Sequence, residues 1–109
     1  MIEVLLGSID RERVLVFLYC RQEGYAREIA RFFGVDLSQI QKQLERLEQG
    51  SVIYGKQAGK TWIYKLNPRY PFLKELNLLL EKVFQFYSSE EKERLSMNRR
   101  RPRRRGKPL

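Results

Sequence analysis

The chain has 109 residues, 42% apolar and 32% charged, a length that supports one small domain and excludes a large multidomain enzyme. It has no histidine and a single cysteine, so the usual imidazole base, an internal disulfide and the ligands of a closed zinc site are missing from its composition. The formal net charge is +9, yet seven cations without an acid fall between Asn98 and Leu109, leaving residues 1–97 with 15 cations against 13 acids, or +2.

Helical spacing of Val14, Leu15, Phe17 and Leu18, with Arg11 a turn earlier, predicts a first helix at about residues 9 to 22. Ser8 or Asp10 suits its cap, and Gly24 after Gln22 and Glu23 reads as its stop. After Tyr25, Ile29, Ala30 and Phe33 fall on one side of a short second helix and Arg27, Glu28 and Arg31 on the other, with Gly34 ending it. A third helix follows, in which Ile40, Leu44 and Leu47 form one apolar stripe. Ser38 and Gln41 match a capping box at its start, and Gly50 supplies its stop. Two short helices joined around Gly34 make a helix-turn-helix signature.

Val52 to Tyr54 and Thr61 to Leu66 are β-branched and aromatic runs around Ala58-Gly59-Lys60, which predicts a β-hairpin. Asn67-Pro68 and Tyr70-Pro71 bracket a turn, Phe72 to Tyr87 is helical, and Ser88-Ser89-Glu90-Glu91 starts a last short helix ending near Met97. The fold class read from this order is mainly α with a small β-hairpin: a winged helix-turn-helix with C-terminal helices, residues 1–97, and a basic tail, residues 98–109. No apolar run approaches the roughly 20 residues that span a bilayer, so neither a membrane span nor a signal peptide is expected. A cytoplasmic location fits the lone thiol.

The order and several motifs resemble the winged-helix DNA-binding domains of ArsR-like regulators over about residues 5–87. The residues that carry the resemblance are Leu6-Gly7-Ser8 with Arg13-Val14-Leu15, then Arg27-Glu28-Ile29-Ala30, Gln43-Leu44-Glu45-Arg46-Leu47-Glu48 and Tyr64-Lys65-Leu66-Asn67-Pro68. Within that group the chain is most similar to small bacterial winged helices joined to, or encoded near, nucleotidyltransferases, which share the Asn-Pro at the wing end and the following Pro-Phe-Leu-Lys-Glu-Leu-type helix. No transferase motif is present. The resemblance implies a transcriptional regulator that binds double-stranded DNA as a homodimer, without cofactor or catalysis. Metal sensing through paired thiols on the recognition helix is not implied, because the third helix has no Cys, His or Asp.

Turning 100° per residue from the apolar stripe puts Ser38, Lys42, Glu45, Arg46 and Gln49 on the outer face of the third helix, flanked by Gln39 and Gln41. Glutamine pairs with adenine edges and Lys or Arg with guanine, so Ser38, Gln39, Gln41, Lys42 and Arg46 are the candidate base-reading residues; the alternative is an ordinary solvated face. Arg27 and the wing-tip residues Lys56, Gln57 and Lys60 suit phosphates, although lysines also protect hairpin edges. On the second strand Ile63 is assigned to core packing, and Trp62 to packing ahead of base stacking. Cys20 reads as a small buried hydrophobe.

Arg99, Arg100, Arg101, Arg103, Arg104 and Arg105 form a segment broken by proline that cannot bury apolar surface, so disorder is expected and polyanions are its natural partners. On the helix after the hairpin, Phe72, Leu76, Leu79, Val83 and Phe86 form one apolar stripe, while Leu73, Leu80, Phe84 and Tyr87 form a second beside it. Together the stripes cover about 160°, more than packing on one small domain requires. The second stripe is therefore a candidate dimer surface, and Leu73, Leu76, Leu80, Val83, Phe84 and Tyr87 are the expected interface residues. ArsR-like proteins dimerise through terminal helices, here Ile2 to Leu6 and Phe72 to Tyr87. The alternative is a last helix folded back over the stripe, with Leu95 and Met97 covering part of it. Two other functions compete with DNA regulation: an adaptor for a separate protein partner such as a nucleotidyltransferase, and an RNA binder driven by the tail.

Overall fold

A computed structural model of the chain describes residues 1–97, so the arginines of the tail lie outside the described residues. Eight elements run in the order α1 (Glu3–Leu6), α2 (Ile9–Arg21), α3 (Ala26–Phe33), α4 (Leu37–Gln49), β1 (Ile53–Ala58), β2 (Thr61–Leu66), α5 (Leu73–Gln85) and α6 (Ser89–Met97).

The core is organised around α2. Instead of one apolar stripe, five consecutive residues from Val14 to Leu18 are buried, so the helix is enclosed on all sides. Helices α1, α3, α4, α5 and α6 and strand β2 all touch it. Ser8 caps its start, the hydroxyl accepting from the amides of Asp10 at 3.1 Å and Arg11 at 3.3 Å. Its stop differs from the expected glycine: Gln22, at φ +75°, takes the left-handed position. Gly24 instead exchanges both backbone hydrogen bonds with Tyr64, at 3.1 and 2.8 Å. Glycine is required there by close approach, since a Cβ would meet the Phe17 ring at 2.7 Å.

Helix α3 ends as expected at Gly34, φ +68°, with Val35 N–H reaching back to Ala30 O at 3.0 Å. Helix α4 begins two residues earlier than the capping-box register: Asp36 is the cap residue, and Ser38 sits exposed in the first turn without a capping bond. Val35 and Leu37 both pack on the core, which draws the chain into the helix before the serine is reached. At the other end, Gly50 has φ −86°, and Ser51 at φ +63° occupies the left-handed position. Val52 N–H to Leu47 O at 2.9 Å and Ser51 N–H to Glu48 O at 3.0 Å complete a Schellman motif around a non-glycine residue.

The hairpin is antiparallel, pairing Ile53 with Leu66, Gly55 with Tyr64 and Gln57 with Trp62. Its two-residue turn takes Gly59 at φ +65° in the first position. Period-two alternation puts Leu66 and Tyr64 on the core with buried Ile53, and turns Ile63 to the opposite face, contrary to its expected core role.

Helix α5 gives members of both expected stripes to the core, Leu76, Leu79 and Val83 from the first and Leu80, Phe84 and Tyr87 from the second. Leu80 and Val83 are core residues, 0% and 3% exposed, and Phe84 and Tyr87 pack against that core. Two residues of the expected interface are therefore interior to the monomer. Helix α6 folds back over α2 with Leu95 fully buried, whereas the alternative reading had it cover the stripe of α5. A capping box formed by Ser88 and Glu91 starts it, each accepting from the other's amide at 3.1 to 3.2 Å. Arg21 stacks on Phe17 and Phe32 and donates to the Leu95 and Arg94 carbonyls at 3.0 Å. Arg94 in turn covers Phe32 and donates to its carbonyl at 2.9 Å, so two guanidinium groups fasten α6 to α2 and α3.

One carboxylate is buried beneath the N-terminal segment. Glu12, 1% exposed, accepts from the Tyr87 hydroxyl at 2.8 Å and from Ile2 N–H at 2.7 Å, with the Met1 amino group 3.0 Å away. Burial, then the bond to Glu12, holds the Tyr87 hydroxyl well above the ordinary phenol range, so it remains a donor.

Two outcomes follow for stability. Replacing Ser51 by Gly relieves the left-handed strain and is expected to stabilise the fold by about 0.5–1 kcal/mol, read as a rise of a few degrees in Tm. Tyr87→Phe removes one donor from the buried Glu12 carboxylate and is expected to cost about 1–3 kcal/mol in urea unfolding.

Candidate nucleic-acid interface

Helix α4 has two chemically different sides. Ile40, Leu44 and Leu47 are 0%, 0% and 7% exposed and fix the helix against the core. Ser38, Gln39, Gln41, Lys42, Glu45, Arg46 and Gln49 are all exposed on the remaining surface, as the spacing predicts. The face is mixed in sign: the Tyr64 hydroxyl is pushed up by burial and then by the charges of Glu48 and Glu45, which puts these carboxylates near the base of the wing.

Arg27 lies exposed on α3, and Lys56, Gln57 and Lys60 are exposed towards the end of the hairpin. Among the described residues none of Arg27, Lys42, Arg46, Lys56 or Lys60 takes part in an ion pair. Their charges are left to water and to whatever anion approaches. Cations committed to protein carboxylates would have to break those pairs before meeting phosphate.

The attitude of the wing is set at its base and its middle. The Gly24–Tyr64 bridge ties β2 to the segment between α2 and α3, and Asn67 Nδ2 donates to Ser51 O at 2.9 Å across the hairpin base. Farther out, Trp62 lies across Gly55: a Cβ on Gly55 would come within 2.2 Å of the indole nitrogen. The indole remains 46% exposed, so it packs over the glycine gap while presenting surface to solvent.

A residue pair that sequence reasoning missed reaches α4 from behind. Gln43, only 5% exposed, accepts from Arg11 Nε at 2.9 Å, while Arg11 Nη1 donates to Leu6 O at 2.6 Å. The available signal was a glutamine on the same side as Ile40, Leu44 and Leu47, a polar side chain that needs a partner if buried.

The exposed apolar surface lies elsewhere. Val4 and Leu5 on α1 are 96% and 71% exposed, and Phe72, Leu78 and Phe86 around α5 are more than half exposed. Between the N-terminal residues ahead of α1 and the end of α5 is a depression of about 410 Å³, lined by Met1, Ile2, Leu79, Lys82, Val83 and Phe86. Of the expected interface residues, Leu73, Leu76, Phe84 and Tyr87 are partly buried, and all of these but Leu73 pack against the core. Cys20 is partly buried, and no group of three His, Cys, Asp or Glu among the described residues could hold a metal ion. No helix among the described residues is long and apolar enough to cross a membrane.

No family model matches the chain, and no curated protein does. Solved structures of Lactococcus lactis ZitR do match. A double mutant of ZitR in its apo form is 18% identical with a TM-score of 0.55, covering 88% of this chain and 81% of that one. A cysteine-to-serine mutant of ZitR is 19% identical with a TM-score of 0.52, covering 83% and 68%. At this identity the likeness is one of fold: the chain is a winged helix, mainly α with a two-stranded wing.

Trp62 is the only tryptophan, so its fluorescence reports on the wing alone. Gly55→Ala is expected to displace the indole, shifting its emission to the red and increasing acrylamide quenching while the far-UV circular dichroism stays unchanged.

Proposed function

We propose that this winged helix is a DNA-binding transcriptional regulator that acts as a cytoplasmic homodimer on double-stranded DNA. The observation that carries the reading is the exposed set Gln39, Lys42 and Arg46 on α4, with no ion pair to either cation among the described residues, opposite an apolar stripe that locks the helix in place. Helix α4 enters the major groove, where Gln39 and Gln41 suit adenine edges and Lys42 and Arg46 suit guanine. Arg27 and the wing residues Lys56, Gln57 and Lys60 meet phosphates, and the arginine tail adds affinity that is independent of sequence. The winged-helix fold shared with ZitR supports this kind of function. The closer affinity to ArsR-like regulators rests on the sequence motifs.

The dimer forms through the outer faces of α1 and α5, where Val4, Leu5, Leu78 and Phe86 leave apolar surface in water. This surface replaces Leu80 and Val83 of the expected interface, which the monomer uses internally.

Selection of bound duplexes from a random pool tests the reading, and an enriched palindrome is the expected product. Alanine at Gln39, Lys42 or Arg46 is expected to cost about 1–3 kcal/mol per lost base contact and to erode preference for the selected site. Truncation after Met97 removes seven cations and is expected to keep the preference while flattening the slope of log affinity against log salt by up to about six. Variants at α4 that weaken all duplexes equally, together with a truncated protein that binds none, would replace the regulator with a polyanion binder driven by its tail.

A further inference from the structure

Among the exposed residues of α4 there is a single acid, Glu45. Counting about 100° per residue from the stripe of Ile40, Leu44 and Leu47, Glu45 lies about 50° from the direction opposite that stripe. Gln39 and Gln41 lie farther from it, on the flanks of the helix, so any approach that brings them to a ligand brings Glu45 as well. Its side chain makes neither an ion pair nor a hydrogen bond among the described residues. Lys42, three residues before it, and Arg46, the next residue, are also outside every ion pair there, so neither cation neutralises it.

A helix that presents this side to the major groove carries the carboxylate between two rows of phosphates. There it gives up water and meets like charge, at a cost that only a donor on the DNA offsets. The base edges of the major groove offer two such donors, the N4 amino group of cytosine and the N6 amino group of adenine. On adenine the donor adjoins the N7 acceptor, which repels a carboxylate oxygen and suits the amide of a glutamine instead. Cytosine presents its donor with no acceptor beside it on the same base, and the guanine paired with it offers O6 and N7 to a cation. Lys42 stands on the same face as Glu45, with a Cβ separation of about 5–6 Å at this spacing.

We propose that Glu45 is a specificity-determining residue that accepts a hydrogen bond from cytosine N4 and so selects DNA with a C·G pair under the middle of α4. The inference rests on the regulator reading above and names one base pair of its target. The same carboxylate acts in two directions: it is met by a donor at this pair, and it weakens binding wherever the donor is missing.

The experiment uses the full chain and its Glu45→Ala variant, which is expected to keep the wild-type melting temperature because the side chain has no partner in the protein to lose. Both are put through selection from a random duplex pool, and their affinities are measured for the wild-type selected duplex, for versions altered at single pairs, and for a shuffled duplex. The wild type is expected to enrich a C·G pair whose exchange for T·A or G·C costs about tenfold in affinity, whereas in Glu45→Ala the same exchanges cost no more than about twofold. Glu45→Ala is also expected to bind the shuffled duplex several-fold more tightly at low salt, a gain that shrinks as salt is raised because the repulsion removed is Coulombic. A cytosine preference unchanged in Glu45→Ala, an adenine preference lost in its place, or an equal loss at every duplex overturns the assignment of Glu45 and leaves the regulator standing. A wild type that enriches no sequence overturns the regulator reading itself, before the variant is compared.

Discussion

Enclosure of α2 is the constraint on which the rest of the molecule depends. Five successive side chains from Val14 to Leu18 leave no solvent face in the middle of that helix, so every neighbouring element must supply part of its cover. Helices α3 and α4 take one part, α5 and α6 another, and β2 joins them beside Gly24. A chain with so little core builds one helix buried all round more readily than two half-buried layers, since every apolar side chain in α2 then finds contacts. The amphipathic elements around it carry the polar chemistry outward, and α4 is one of them.

Polar groups that enter this core do so in pairs that connect elements. Glu12 takes the hydroxyl of Tyr87 from the end of α5, and Gln43 takes the guanidinium of Arg11. Arg21 and Arg94 use carbonyls and aromatic faces of α2, α3 and α6. A buried polar atom without a partner costs more than a formed bond contributes, so each pair specifies the relative position of two elements more strongly than it stabilises them. Such pairs hold the helices and the wing in one arrangement although the domain is small.

The outward chemistry is arranged by the same logic. Residues 1–97 carry nearly balanced charge, and four of the ion pairs among the described residues involve α1, α2 or the segments beside them. Lys42, Arg46, Lys56 and Lys60 are left outside these pairs, on α4 and the wing. A domain need not be strongly basic to approach a polyanion if the cations on the approaching face are not committed to protein carboxylates. The most exposed apolar side chains, by contrast, lie on α1 and around α5, with Trp62 of the wing 46% exposed.

Much of the architecture was legible in the residues themselves. The stripe of Ile40, Leu44 and Leu47 oriented α4, Gly34 ended α3, and the β-branched runs around Gly59 gave the hairpin, because these signals depend on helical or strand periodicity and on local backbone freedom. Where competition between neighbours decides, local signals misled. Ser38 lost the capping position to Asp36 because Leu37 is drawn to the core, and Gly24 serves a strand bridge while Gln22 ends α2. Both stripes of α5 look alike in sequence, and only the positions of α2 and α6 decide that Leu80 and Val83 lie inside while Phe72 and Phe86 remain in water. The Arg11–Gln43 link spans 32 residues of chain and has no local signature. Sequence by itself determined which faces are apolar and which are charged, since that is a property of spacing; tertiary structure alone decided which apolar face is spent on the monomer, because burial is settled by the elements that arrive to cover it.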